Sequence, residues 1–211
     1  MSARLLYVMD PMCSWCWGFS PIAEALVEQA QAAGVELHLV VGGLRTGNGS
    51  ALEPATRGYI LEHWQAVADA TGQPFLFEGA LPQGFVYDCE PACRAVVAAR
   101  SLAPDRAWAL LKLIQQAFYV QGRDVTQTAL LVELAEQAGV PRIEFAAAFD
   151  SDEQHAATAA DFTWVQDLGI AGFPTLLAER NGQLALLTNG YQPLEPLSDL
   201  LGRWLERAAR V

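Results

Sequence analysis

The sequence predicts an α/β protein interrupted by an all-helical insertion, and three observations carry that expectation. A strand, a helix and a second strand follow one another within residues 4–41. Near the other end, Asn181-Gly182 separates two apolar runs, the pattern of a two-residue hairpin. Between these parts the apolar residues recur at helical spacing almost throughout.

The first strand is expected from Arg4 to Met9, because Leu5, Leu6, Tyr7, Val8 and Met9 form an unbroken apolar run of the kind buried on both faces of a sheet. Phe19, Ile22, Ala23, Leu26, Val27 and Ala30 then repeat with a helical period from about Gly18 to Ala33, and Gly34 is placed to end the helix. Alternation over Val35 to Val41 predicts the second strand. Gly42 to Ser50 is glycine-rich. It lacks the lysine of a phosphate-binding loop and does not lead directly from a strand into a capped helix, so it reads as an exit from the sheet.

Tyr59, Ile60, His63, Trp64 and Val67 mark the first inserted helix, which ends at Gly72; residues around Phe75 to Phe77 are the one candidate strand in this region. Pro91 and Pro104 sit where helices begin, Thr126 or Thr128 is placed to cap the next one, and Pro141 opens a shorter one. Ser151 resembles a helix start for a segment running to Leu168. The hairpin pairs Thr175–Ala178 with Leu184–Leu187, and a last helix covers Leu194 to Ala209.

Composition narrows the function classes. Hydrophobic residues make up 52% of the 211 and charged residues 18%, values of a compact globular chain with a full core. The net charge of −11, from 24 acids against 13 bases, repels phosphate backbones and anionic lipids, so neither nucleic acid nor a membrane is an expected partner. The start of the chain has a five-residue apolar run cut off by Asp10, too short for a secretory signal. A cytoplasmic location is therefore expected. There, cysteines in close pairs point to redox chemistry or metal before structural disulfides.

Asp10-Pro11-Met12-Cys13-Ser14-Trp15-Cys16-Trp17-Gly18-Phe19 is the stretch with chemistry in it. A strand followed by C-x-x-C and a helix places the first sulfur where unpaired N–H groups and the helix dipole favour a thiolate. The second sulfur lies within the first turn. Cys13 is thus the candidate nucleophile and Cys16 the residue that resolves its mixed disulfide. Cys89 and Cys93 allow three readings: buried inert thiols, a second thiol pair, or a zinc site completed by Cys13 and Cys16. The spacing of Cys89 and Cys93 suits a helix start better than a zinc knuckle, and no metal is expected. Asp10 is placed either to accept a proton near the active thiol or to cap the turn. Trp15 is expected at the surface and Trp17 in the core, while His38, His63 and His155 form no ligand pattern.

Cys13-Ser14-Trp15-Cys16-Trp17-Gly18-Phe19, Gly42-Gly43-Leu44-Arg45, Glu90-Pro91-Ala92-Cys93-Arg94-Ala95, Phe118-Tyr119-x-x-Gly122-Arg123-Asp124 and Gly172-Phe173-Pro174-Thr175 together resemble the DsbA family of disulfide oxidoreductases, and in particular its FrnE-like branch. The resemblance implies a thioredoxin-like fold, a central mixed sheet with flanking helices, made by residues 1–50 and 155–211, with 51–154 as the helical insertion. It implies a thiol–disulfide oxidoreductase without a bound cofactor, exchanging disulfides with protein or small-molecule substrates, glutathione among them. It implies a cis bond before Pro174, next to the redox cysteines, and a substrate chain pairing with the backbone of Phe173. The inserted helices are expected to pack over the cysteine face, with Tyr59, Trp64, Phe118 and Tyr119 either lining a groove there or forming the helices' own core. The Ser14-Trp15 dipeptide departs from better-known relatives, having neither a histidine to stabilise the thiolate nor a proline to stiffen the turn. Kappa-class glutathione transferases and related isomerases resemble the chain too, and a glutathione-dependent transferase or isomerase is the alternative. Those enzymes usually have serine at the position of Cys13, which favours redox exchange.

Overall fold

The computed structural model describes residues 3–209. Its elements run β1 (Ala3–Met9), α1 (Ser14–Ala32), β2 (Glu36–Val41), α2 (Pro54–Thr71), α3 (Glu90–Leu102), α4 (Pro104–Tyr119), α5 (Thr128–Gln137), α6 (Arg142–Phe149), α7 (Asp152–Asp167), β3 (Thr175–Arg180), β4 (Gln183–Asn189) and α8 (Leu194–Ala209). The strands form a mixed sheet in the order β2-β1-β3-β4, parallel between β1 and β2 and antiparallel elsewhere. Parallel pairing sets Met9 opposite Val41, so both strands end on the same edge, where the Gly42 amide donates to the Met9 carbonyl at 2.8 Å. That carboxyl edge is where open α/β sheets present their sites.

The apolar run of β1 is buried on both sides, as its composition requires. Leu5, Tyr7 and Met9 face the larger core shared with α1 and the helices from α2 to α6, while Leu6 and Val8 pack with Val40, Leu177 and Val165 beneath α7. The hairpin turns at Asn181 and Gly182 with φ of 50° and 80°, the left-handed pair that a two-residue turn of this hand demands. α3 is the centre of the helical layer. Every residue from Ala92 to Ala99 is buried, and the alanines let α4, α6 and α7 come close.

Three local expectations are corrected. α1 begins at Ser14, four residues before the apolar period becomes visible, and so Pro21 lies inside the helix. Proline has no N–H to give to the Trp17 carbonyl one turn back; Gln73 Nε2 donates to that carbonyl instead, at 3.0 Å. The candidate strand at Phe75 to Phe77 is irregular chain, because its rings are drawn into a cluster with Trp64, Phe118 and Tyr119. Neither Thr126 nor Thr128 caps α5; Gln127 holds the N-cap position, and the Asp124 carboxylate accepts from Thr126 N–H and from its hydroxyl. At Ser151 the expected cap is present, its hydroxyl accepting from Gln154 N–H at 3.3 Å.

One ion pair ties the helical layer to the sheet edge. Arg100 of α3 meets Asp161 of α7 through two contacts, 2.7 and 3.1 Å, and also donates to the Leu39 carbonyl; Asp161 Oδ2 accepts from Val41 N–H at 3.0 Å. Both side chains are more than four-fifths buried. Removing one partner strands the other, so Arg100→Ala is expected to destabilise by about 2–3 kcal/mol. Denaturant titration checks it; an unchanged midpoint would show that the pair contributes nothing.

Candidate active site

The site forms where β1 stops. Cys13 is the N-cap residue of α1, with extended backbone (φ −88°, ψ 118°), its amide donating to the Asp10 carbonyl at 3.0 Å and its carbonyl accepting from Trp17 N–H at 3.1 Å. No side chain caps this helix start, which leaves first-turn amides free to face a negative sulfur. Of the four cysteines, all free, Cys16, Cys89 and Cys93 are fully buried and Cys13 keeps 5% exposure. Cys13 is the one cysteine of the four with any exposed surface.

The Phe173–Pro174 bond is cis, and the Cys13 thiol lies 3.8 Å from the Phe173 carbonyl oxygen. The loop is held by Gly190 N–H on the Pro174 carbonyl and by the Thr175 hydroxyl on the Gly172 carbonyl. Phe173 presses on the sheet edge: a Cβ at Gly42 would sit 2.0 Å from its ring. Glycine is the only residue that fits there.

Asp10 is fully buried beneath the motif and caps the turn. Its carboxylate accepts from Met12 N–H at 2.8 Å, from Leu44 N–H at 2.7 Å and from the Cys93 thiol at 3.5 Å. Arg45 N–H donates to the Cys89 sulfur at 3.2 Å, and the Asn48 side chain donates to the Tyr87 carbonyl. The glycine-rich exit after β2 therefore spends its Leu44 and Arg45 amides on the protein and is no phosphate cradle. Cys89 and Cys93 lie together against Asp10, and among the described residues no metal-competent cluster includes Cys13 or Cys16.

Sequence reasoning missed Tyr87, Arg45 and His63. Tyr87 donates its hydroxyl to the Met12 carbonyl across 75 residues of sequence, and Arg45 stands over its ring. Trp15 is not at the surface as expected; it is half-buried, with its ring 6.0 Å from His63 and 5.6 Å from Tyr191. Trp17 is buried and stacked on Tyr119. α2 lies beside the motif, and a cavity of about 320 Å³ opens between Met12, Ser14, Arg45, Tyr59, His63 and Tyr87. The packing divides the four insertion aromatics: Trp64, Phe118 and Tyr119 are core, and Tyr59 stands largely exposed at the rim.

Burial dominates the electrostatics. It pushes the Cys16 thiol well above its ordinary value, and the neighbouring Cys13 sulfur adds to the effect. Cys93 is raised for the same first reason. Cys89 is pulled down by its hydrogen bond with Cys93, but burial and the Asp10 charge carry it to about 11. Desolvation raises Asp10 too, against the hydrogen bonds it accepts. At neutral pH these three buried thiols keep their protons.

Two outcomes follow. A thiol raised in the folded state is ionised first in the unfolded chain, so the reduced protein should lose stability as pH rises above about 8.5, by about 1.4 kcal/mol per pH unit for each such thiol. Denaturation midpoints at neutral and alkaline pH measure this, and equal midpoints would contradict it. Gly42→Ala should drive the Phe173 ring away from Cys13 and destabilise by about 1–3 kcal/mol; adding Phe173→Ala should recover stability, which calorimetry on both variants can test.

Known proteins share this fold. A Nitrosomonas europaea structure, provisionally assigned as a protein disulfide isomerase, superposes with a TM-score of 0.91 at 43% identity, covering 98% of this chain and 99% of that one. The cytosolic disulfide reductase DsbM of Pseudomonas aeruginosa aligns with a TM-score of 0.79 at 34% identity over 98% of both chains, and its structure with glutathione with a TM-score of 0.77 at 32% identity over 99% and 100%. A curated relative, the ClpXP adapter protein SpxH of Halalkalibacterium halodurans, is 23% identical over 94% of this chain and 68% of its own length. The DSBA-like thioredoxin domain matches residues 4–202, nearly the whole length over which strand, motif and hairpin were traced, and the chain belongs to that family.

Proposed function

We propose that Cys13 and Cys16 are the working dithiol of this thiol–disulfide oxidoreductase, with Cys13 the attacking and Cys16 the resolving residue. The observation that carries the reading is the contrast between the two sulfurs: Cys13, at the N-terminus of α1 beside the Phe173 carbonyl, keeps a small exposed surface, and Cys16 lies fully buried behind it. The Cys13 thiolate attacks a substrate disulfide, forming a Cys13–substrate disulfide and releasing one substrate thiolate, which takes up a proton. Cys16 then gives up its proton and attacks the Cys13 sulfur, releasing the second substrate thiol and leaving the Cys13–Cys16 disulfide. Two molecules of an external thiol reset the pair: the first forms a mixed disulfide with Cys13, and the second attacks the sulfur of that first thiol, leaving as their shared disulfide while Cys13 and Cys16 regain their protons. Phe173, Pro174 and Trp15 flank the attacking sulfur and serve as the docking surface, and Asp10 holds the turn that presents it.

A small anionic thiol such as glutathione is the external reductant we favour. The cavity beside Cys13 has Arg45 and His63 in its wall, and the Pseudomonas aeruginosa relative has been crystallised with glutathione. That relative's description as cytosolic supports a cytoplasmic location, and no described helix is long and apolar enough to cross a membrane. Residues 51–154 serve in this reading as the helical insertion that supplies α2 to the cavity wall, and 1–50 with 155–211 as the thioredoxin-like unit.

In an insulin-reduction assay with glutathione, Cys13→Ser should abolish turnover, and Cys16→Ala should accumulate mixed disulfides on Cys13 that mass spectrometry identifies. Turnover surviving in Cys13→Ser would overturn the assignment. Brief alkylation of the native reduced protein should label Cys13 alone; label on Cys16 first would reverse the two roles.

A further inference from the structure

Cys89 and Cys93 are one helical turn apart, with Cys89 at the N-cap of α3 and the Cys93 amide donating to the Cys89 carbonyl at 2.9 Å. With that turn closed, side chains at i and i+4 have Cβ atoms about 5–6 Å apart, whereas a disulfide needs about 3.5–4.5 Å. While that turn stays closed, the spacing is longer than a disulfide prefers. It is the spacing by which two residues on one helix face reach a single ion, as paired histidines do in helical zinc sites.

The third member is Asp10, and its distance is informative. A tetrahedral zinc with Zn–S about 2.3 Å and Zn–O about 2.0 Å holds its sulfur and oxygen ligands about 3.5 Å apart. Cys93 Sγ and Asp10 Oδ2 are 3.5 Å apart, and the ligand atoms of Asp10, Cys89 and Cys93 all lie within 4.8 Å of one another. The surroundings also suit a bound cation with anionic ligands. Met12 and Leu44 amides fix the carboxylate, and Arg45 N–H donates to the Cys89 sulfur at 3.2 Å, the outer support that orients metal ligands. Both sulfurs sit at the positive end of α3.

We propose that Asp10, Cys89 and Cys93 form a zinc site separate from the Cys13–Cys16 dithiol, with the fourth place filled by water or the second Asp10 oxygen. On binding, the ion displaces the thiol protons of Cys89 and Cys93 to solvent, and two thiolates with a carboxylate select zinc over the oxygen-seeking Mg²⁺ and Ca²⁺. The ion joins the end of β1 to the first turn of α3 and lies under the floor of the cavity, whose wall includes Met12, Arg45 and Tyr87. Metal occupancy there would stiffen the turn that carries Cys13.

The test uses the full chain as the Cys13→Ser/Cys16→Ser variant, reduced and stripped of metal, so that the redox thiols cannot contribute. Addition of Zn²⁺ should load one equivalent per chain, and X-ray absorption at the zinc edge should show two sulfurs with the remaining ligands oxygen. Cd²⁺ should give the thiolate charge-transfer absorbance with the same stoichiometry, and Cys93→Ala added to this background should weaken binding at least tenfold. The absorption spectrum needs no change to the cluster, so the result stands even if that variant folds poorly. No stoichiometric binding, or a shell without sulfur, would overturn the proposal, and neither result bears on turnover by Cys13 and Cys16.

Discussion

A buried carboxylate at residue 10 is the contact on which the site's shape rests. β1 has to end there, because a fully enclosed acid needs donors, and donors come only from chain that turns back on it. Met12 N–H comes from the motif itself, Leu44 N–H from the exit of β2 and the Cys93 thiol from α3. Three segments far apart in sequence are thereby brought to one point, at the end of β1 beneath the Cys13 turn. A carboxylate left without these partners would be intolerable in that interior, so the three segments must arrive together.

Around that point the two parts of the chain do different work. The sheet, α1 and the cis-proline loop set the sulfur chemistry, with Cys13 at a helix start and Phe173 against Gly42. The helices from α2 onward supply bulk and walls: Tyr59 and His63 stack at the rim, and Trp64, Phe118 and Tyr119 fill the space behind Trp17. α8 closes the other side of α1, where the Gln29 amide and Ser198 exchange hydrogen bonds. Cys13 thus sits at a seam, with rigid sheet on one side and aromatic packing on the other.

Much of this was legible in the sequence, for identifiable reasons. The β1 run, the period of α1 from Phe19 onward, Asn181-Gly182 and the Ser151 cap are local patterns, and local patterns survive in a string of letters. The place of Cys13 and Cys16 at the start of α1 was legible through spacing, and the cis bond before Pro174 through resemblance. What was hidden depends on contacts between distant positions. The start of α1 at Ser14 was hidden because its apolar period becomes visible only at Phe19, and the Gln73 amide that serves the Trp17 carbonyl comes from 56 residues further along. The environment of Trp15 is made by His63 and Tyr191, and that of Met12 by Tyr87, none of which has a periodic signature pointing to the motif. Cys93 meets Asp10 across 83 residues; the four cysteines look like two symmetrical pairs in the sequence and have quite different surroundings in space.

The proline inside α1 has a wider consequence. Because Pro21 cannot cap the Trp17 carbonyl, that oxygen is left for Gln73, and on the other side of the same residue the Trp17 indole N–H donates to the Pro74 carbonyl at 2.9 Å. The residue next to Cys16 is therefore stitched twice, by backbone and by ring, to the irregular segment that follows α2. Any displacement of that segment is transmitted to the opening turn of α1 as two broken hydrogen bonds. The imperfection in the helix is a clasp, and it makes the aromatic wall and the dithiol parts of a single mechanical unit.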